Sequence, residues 1–257
     1  MRCWIAWPFM TDNPLASLAI PAKPLPLYMR ITELISREIA AGHWRAGDRL
    51  PTETELSQSL EAAVGTVRKA LAELVTRGML ERRQGSGTYV REGAMAKAAG
   101  TSIYEFFRLE LLRGGGLPTA LVLDLQRMRR PVRFPPFADA SSEHCYRLRR
   151  LRCLNHLPVA LEEIWFDARH REGLQMQDLG EALYQFYQNE LGFWIAQVED
   201  HVGVGRVPSW APSLFRLSSG SNCARVERQS WSMQGGLEEV STTWFDPSLA
   251  RYTARWS

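Results

Sequence analysis

Gly65, Thr66, Arg68 and Lys69 lie within five consecutive positions and combine groups that read duplex DNA. Arginine and lysine pair with phosphates or with the O6 and N7 of guanine, and threonine bonds a phosphate or touches a thymine methyl. A glycine among them lets the backbone come close. Farther on, Arg82, Arg83, Gln84, Gly85 and Gly87 set cations beside a slim glycine turn, a shape the minor groove admits. Between Val64 and Arg91 six basic residues face two acidic ones, a local balance of +4 in a chain whose net charge is only +3. The basic charge thus sits where a DNA contact needs it. The same residues also fit a plainer description, a solvated face beside an ordinary hairpin.

Other chemistry is poorly represented. Cys3, Cys145, Cys153 and Cys223 form no Cys-x-x-Cys pair and have no histidine at zinc-ligand spacing. They read as reduced thiols of a cytosolic protein, and neither metal nor cofactor is expected. His43, His144, His156, His170 and His201 sit in no catalytic motif, so no enzyme is expected. No run approaches the roughly 20 apolar residues of a membrane-spanning helix.

The elements that must position the basic residues are legible. Tyr28, Ile31, Leu34, Ile35 and Ile39 recur at helical steps, and Gly42 stops that helix. Thr52 and Glu55 form a capping box that opens a short second helix with Leu56 and Leu60 inward. A third helix runs from about 63 to 77 on Val67, Leu71, Leu74 and Val75, closed by Gly78. Two short β-like runs then flank Gln84-Gly85-Ser86-Gly87. Helix, turn, helix, helix, basic hairpin is the order of a winged helix-turn-helix.

The segments PLYMRITELISREIAAGHWRAGDRLPTETEL and GTVRKALAELVTRGMLERRQGSGTYV resemble the DNA-binding domain of the GntR family over residues 24–91. That resemblance implies a DNA face built from Arg49, Thr54, Gly65, Thr66, Arg68, Lys69, Arg82, Arg83, Gln84, Gly85, Ser86 and Gly87. The chain departs from the family pattern at two places. Thr54 stands where the second helix usually has an arginine, and Glu61-Ala62-Ala63-Val64 replaces Gly-x-Ser-Arg at the start of the recognition helix. Base reading is left mainly to Arg68, Thr66 and Lys69. Ala63 in place of a capping serine costs the helix about 1 kcal/mol.

After a small-residue linker at 93–101, alternating runs at 121–128, 145–154 and 157–167, a helical pattern at 179–192, and strands near 195–204, 223–234 and 237–246 indicate an α+β domain. RLRCLNHLPVALEE and GLEEVSTTWFDPSLARYTAR resemble the UTRA ligand-sensing domain of the HutC-type branch. The resemblance implies the fold of chorismate lyase, a central antiparallel sheet with flanking helices, over residues 102–257. It also implies an effector pocket at Arg150, Arg152, Glu162 and Glu239. Arg150 and Arg152 share one strand face, and two guanidiniums there make an anion clamp. Glu162 faces them across the hairpin and accepts from ligand hydroxyls or an amine. The plainer alternative is that these charges pair on an exposed sheet face. Ala182 and Phe245 stand where phosphosugar-binding members of the family carry hydroxyls, which weakens the case for a phosphosugar and leaves a carboxylate-bearing metabolite open.

The expected organisation is a disordered leader at 1–22 (with Met10 as an alternative start), a winged helix-turn-helix at 23–92, the linker, and the effector domain. The expected function is a bacterial transcription regulator, a repressor released from double-stranded operator DNA by a small anionic metabolite, phosphate or carboxylate. It works as a homodimer in the cytoplasm at the nucleoid, away from membranes. An activator or dual regulator of the same architecture and, remotely, a chorismate-lyase-like enzyme are the alternatives.

Overall fold

The computed structural model describes residues 20–95, 107–138 and 143–254, in two compact units. The first comprises residues 25–117 together with the chain from Arg251. Helix α1 (Leu27–Ala40) buries Ile31, Leu34, Ile35 and Ile39. Helix α2 (Glu53–Ser59) opens on the Thr52/Glu55 capping box and buries Leu56. Helix α3 (Val64–Thr76) buries Val67, Ala70, Leu71 and Leu74. These apolar stripes form one core with Leu50, Leu60, Met79, Leu80 and Val90. Strands β2 (Leu80–Arg83) and β3 (Gly87–Val90) form the wing hairpin. Residues 48–50 lie against β3, through Leu50 N–H to Thr88 O and Val90 N–H to Asp48 O.

The same unit holds β4 (Leu109–Leu111), paired with the short strand Ala250–Tyr252. Arg37 of α1 donates through Nε to Gly116 O (2.7 Å) and through Nη2 to Leu109 O (2.6 Å). Glu38 meets His43 Nδ1 at 2.5 Å and accepts from Gly116 N–H. Residues 107–117 therefore pack with the helices, whereas the sequence reading placed everything from 102 onward in the second domain. Of the expected linker, Ala94 is helical and buried; residues 96–101 lie outside the described residues.

The second unit is a seven-stranded antiparallel sheet. Its strands are β1 (Ile20–Pro21), β5 (Pro118–Arg129), β6 (His144–Leu154), β7 (Leu157–Asp167), β8 (Ile195–Arg206), β9 (Asn222–Ser232) and β10 (Leu237–Phe245), in spatial order β1-β5-β6-β7-β10-β9-β8. The leader expectation is corrected at its end. Ile20–Pro21 pair with Val122 and Leu121, and Ala22 is buried and donates to Ala120 O. Residues 1–19 lie outside the described residues. The β6–β7 turn falls on Asn155 and His156, both with positive φ, the twist a two-residue hairpin requires. Helical structure at 179–192 is shorter than the sequence suggests: helix α4 (Leu183–Phe186) continues as one π-helical turn, Tyr187–Leu191. The fold is α+β, with N-terminal helices and a C-terminal antiparallel sheet.

Candidate DNA interface and effector site

The first site is the outer surface of α2, α3 and the wing. Arg49, Thr54, Gly65, Arg68, Lys69, Arg82, Arg83, Gln84, Gly85 and Ser86 are exposed, and Thr66 and Gly87 are half-buried. Nothing stands within 4 Å of a Cβ built on Gly65, so the backbone there is open to close approach. Gly87 has φ +127°, and a Cβ there would meet Arg49 Nε at 2.8 Å. The wing tip and Arg49 thus share one small space. The Ala63 N-cap carries no side-chain hydrogen bond, as its residue type requires.

Several of these cations are already engaged. Lys69 Nζ lies 3.8 Å from the centre of the Tyr28 ring of α1. Arg83 covers Tyr89 at 4.3 Å and pairs with Glu81. Arg68 Nε lies 2.8 Å from Glu53 Oε2, and Arg82 Nη2 lies 3.1 Å from Glu53 Oε1. Sequence reasoning missed Glu53. It sits inside the Thr-Glu-Thr-Glu capping pattern, but nothing local signals its partners, 15 and 29 positions away.

The second site lies on one face of the sheet. Directly opposed residues in an antiparallel ladder project to the same side. The register sets Arg150 opposite Glu162, Glu162 opposite Thr243, and Glu239 opposite Ser230 and Phe166. By the same alternation Arg152, Arg228 and Phe245 share that face. Arg150 and Arg152 are only 4% and 2% exposed, which removes the exposed-face alternative. Arg150 Nη2 lies 2.7 Å from Glu162 Oε2, and Arg152 Nε lies 3.8 Å from Glu162 Oε1. Arg152 Nη1 also donates to Glu181 O, just before α4. Arg150 Nη1 is buried without a hydrogen-bond partner.

Glu239 is 2% exposed and accepts from Tyr187 Oη (2.7 Å), Tyr184 Oη (3.1 Å) and Ser230 Oγ (3.4 Å). The two tyrosines come from α4 and its π turn, so this helical cover supplies the hydroxyls. Beside them Arg228 holds Asp200 through two 2.6 Å bonds. Tyr184, Tyr187, Arg228 and Ser230 went unrecognised in the sequence, because an isolated tyrosine or serine carries no positional signal. Phe245 is buried on the same face, opposite Ala160, which in turn opposes Arg152.

Protonation differs between the two glutamates. Burial alone would raise the Glu162 pKa, but Arg150 and Arg152 outweigh it and hold the carboxyl below its ordinary value. Burial raises Glu239, and the bonds and charges of Tyr187, Arg228 and Arg150 do not cancel that rise. Burial opposes the charge on Arg228, yet Tyr184 and Asp200 more than offset it and hold it cationic. Among the described residues no group of His, Cys, Asp and Glu is arranged to hold a metal, and no helix is long and apolar enough to cross a membrane.

Comparison with known proteins places both halves. The sequence model described as "Bacterial regulatory proteins, gntR family" matches residues 27–90, and that of the UTRA domain matches residues 115–251. The HTH-type transcriptional regulator SmoD of Agrobacterium fabrum is 46% identical over 90% of this chain and 96% of the relative. The mannosyl-D-glycerate transport/metabolism system repressor MngR of Escherichia coli is 30% identical over 89% and 95%. The histidine utilization repressor of Pseudomonas aeruginosa is 26% identical over 86% and 87%. In fold, the chain is similar to the ligand-binding domain of a GntR-family regulator from Bordetella bronchiseptica, with TM-score 0.51 and 18% identity over 58% of this chain and 96% of that one. It is also similar to YydK of Bacillus subtilis, with TM-score 0.50 and 18% identity over 91% and 100%. Members of the family are DNA-binding regulators rather than enzymes, which sets the lyase alternative aside. The chain belongs to the GntR family of DNA-binding transcription regulators, in the HutC-type branch that carries a UTRA domain.

Proposed function

We propose that this regulator is a repressor that holds its operator as a homodimer and releases it when a small anionic metabolite enters the buried polar site of the sheet. The observation that carries the effector reading is Arg150. Its Nη2 is paired with Glu162 while its buried Nη1 has no partner. A buried N–H without an acceptor is costly, and a ligand carboxylate or phosphate oxygen would supply one. Arg152 on the same strand face adds a second guanidinium, giving the two-pronged geometry an oxyanion needs. Glu162 and Glu239, with the hydroxyls of Tyr184, Tyr187 and Ser230, then serve the hydroxyl groups of the same ligand, and Phe245 forms an apolar edge. The repressor MngR, named for a system that handles mannosyl-D-glycerate, supports a carboxylate attached to a polyol as the first class to test.

The DNA contacts of this reading are Arg49, Thr54, Gly65, Thr66, Arg68, Lys69 and the wing residues 82–87. Two copies set the recognition helices about 34 Å apart on a pseudo-palindromic site. The long edge strand β8, with Val202 and Val204 exposed, supports pairing with a second copy. Two relatives are named repressors, which supports that sign of regulation. The protein then acts on chromosomal DNA in the cytoplasm, at the nucleoid.

The test is a thermal-shift screen of sugar acids, small carboxylates, amino acids and phosphosugars, followed by mobility shift on DNA from the protein's own promoter region. A ligand at 100 times its Kd stabilises by about 2.7 kcal/mol. The expected hit carries one carboxylate, raises the melting temperature of the wild type but not of Arg150→Met, and weakens the DNA complex. If no anion stabilises the protein and none weakens its DNA complex, the effector reading is wrong.

A further inference from the structure

A carboxylate is out of place on a surface that receives phosphates. Glu53 nevertheless sits there, in the first turn of α2, and divides its two oxygens between two other elements. Oε2 takes Arg68 Nε from the recognition helix at 2.8 Å, and Oε1 takes Arg82 Nη2 from the wing at 3.1 Å. The side chains of Arg68 and Arg82 are 62% and 48% exposed, and that of Glu53 is 27% exposed. Exposed pairs of this kind add little to stability, so folding does not account for the carboxylate. Its geometry gives it another use. A long arginine on a helix surface samples many rotamers, and ordering it on binding costs entropy. Pairing Arg68 through Nε fixes the guanidinium while leaving both Nη groups to meet a guanine edge. Pairing Arg82 with the same carboxylate ties the wing to the recognition helix, so that the two grooves are read in one fixed relation.

We propose that Glu53 is a positioning residue for specific DNA recognition: it pre-orders Arg68 and Arg82 together and thereby sets the preference for operator over random DNA. The proposal rests on the reading of Arg68 and Arg82 as DNA contacts. It makes a prediction whose sign differs from that of simple electrostatics. Removing a negative charge from a DNA-facing surface strengthens binding to every sequence. Removing a positioning group weakens binding to the chosen sequence and leaves random DNA bound as well as before, or better.

The experiment uses the full-length protein, a duplex enriched from a random-sequence library by the wild type, and poly(dI-dC) as random DNA, at two salt concentrations. Glu53→Gln, Glu53→Asp, Arg68→Ala and Arg82→Ala are compared, with thermal melting as the control for folding. For Glu53→Gln the expected result is a specificity ratio reduced about tenfold, the scale of one arginine–guanine contact, with poly(dI-dC) binding equal or tighter and melting unchanged. Glu53→Asp keeps the charge but shortens the reach, and its ratio falls between the two. Glu53→Gln binding both DNAs more tightly with the ratio intact would overturn the positioning role while leaving the interface standing. Arg68→Ala and Arg82→Ala both binding the selected duplex as the wild type does would overturn the interface and the proposal together. If Glu53→Gln lowers the melting temperature, Glu53→Asp and the two arginine variants decide, since an intact ratio in Glu53→Asp combined with losses in both arginine variants also counts against positioning.

Discussion

Arg150 and Glu162 are directly opposed across the β6–β7 ladder and meet at 2.7 Å, both almost wholly withdrawn from solvent. Removing one member of such a pair strands a buried charge, at a cost of roughly 3–5 kcal/mol. Glu162→Ala should therefore unfold at markedly lower denaturant than the wild type. The double variant Glu162→Leu/Arg150→Met should recover part of that loss, because it removes both charges of the pair but still leaves the buried Arg152 without its carboxylate. Chemical denaturation of the three proteins checks this.

The two glutamates of the site give stability opposite pH dependences. Glu162 is held below its ordinary value of 4.5, so its contribution is complete above that value and is lost as pH falls through the folded-state pKa. Glu239 is raised above 4.5, so the folded state carries no penalty from it in acid. The penalty grows as pH climbs from 4.5 to the folded-state pKa and then levels off. Melting temperatures of Glu162→Gln between pH 3 and 8 should lack the acid-side rise of the wild type. Those of Glu239→Gln should lack the decline above pH 4.5. Parallel curves for all three proteins would show that neither carboxyl titrates differently on folding.

Gly85 and Gly87 both have positive φ, at +68° and +127°, but their surroundings differ. A Cβ at Gly85 meets nothing within 4 Å, whereas one at Gly87 falls 2.8 Å from Arg49 Nε. Gly85→Ala should bear only the backbone strain, about 1–2 kcal/mol. Gly87→Ala adds displacement of Arg49 and should lose more operator affinity than Gly85→Ala. Filter binding of both variants to the same duplex gives the comparison.

The first unit was legible because its signals are local: helical apolar spacing, a capping box, and glycines at the wing. In the second unit, strand positions followed from alternation, and the Asn155-His156 turn marked the β6–β7 hairpin. What alternation cannot supply is the order of strands that are distant in sequence. The β7–β10 pairing brings Glu239 to the face of Glu162 across 77 positions of chain, and only the register reveals it. The α4 cover was legible as helical but not as the source of the tyrosine hydroxyls on Glu239. It is short because residues 179–182 are not helical: Lys23 donates to Leu179 O and accepts from Glu181 N–H there, a pairing no local pattern announces. That residues 107–117 pack with α1 was not legible for a similar reason: their anchor is Arg37, more than 70 positions earlier.

Burial pushes the Cys145 and Cys153 thiols up to about 11. Thiolate, the reactive form, is therefore scarce in the folded protein at pH 8. Iodoacetamide treatment followed by peptide mapping should leave both residues unmodified in the native protein and modify both in denaturant. Native labelling of Cys153 at the denatured rate would contradict its burial in the sheet core.

Ala63 begins the recognition helix with extended φ and ψ of −59° and 138° and no side-chain bond to the first turn. The backbone there already has the conformation a capping serine adopts, and Ala63 is exposed, so the hydroxyl needs no new space. Ala63→Ser should stabilise the protein by about 1 kcal/mol, a rise of roughly 2–4 °C in melting temperature for a chain of this size. The change adds no charge, so binding to poly(dI-dC) should stay the same. Operator binding should hold or tighten, because fraying of the first turn would no longer misplace Gly65 and Thr66. A stabilised protein with weaker operator binding would mean that the uncapped start of α3 is itself part of how the helix meets DNA.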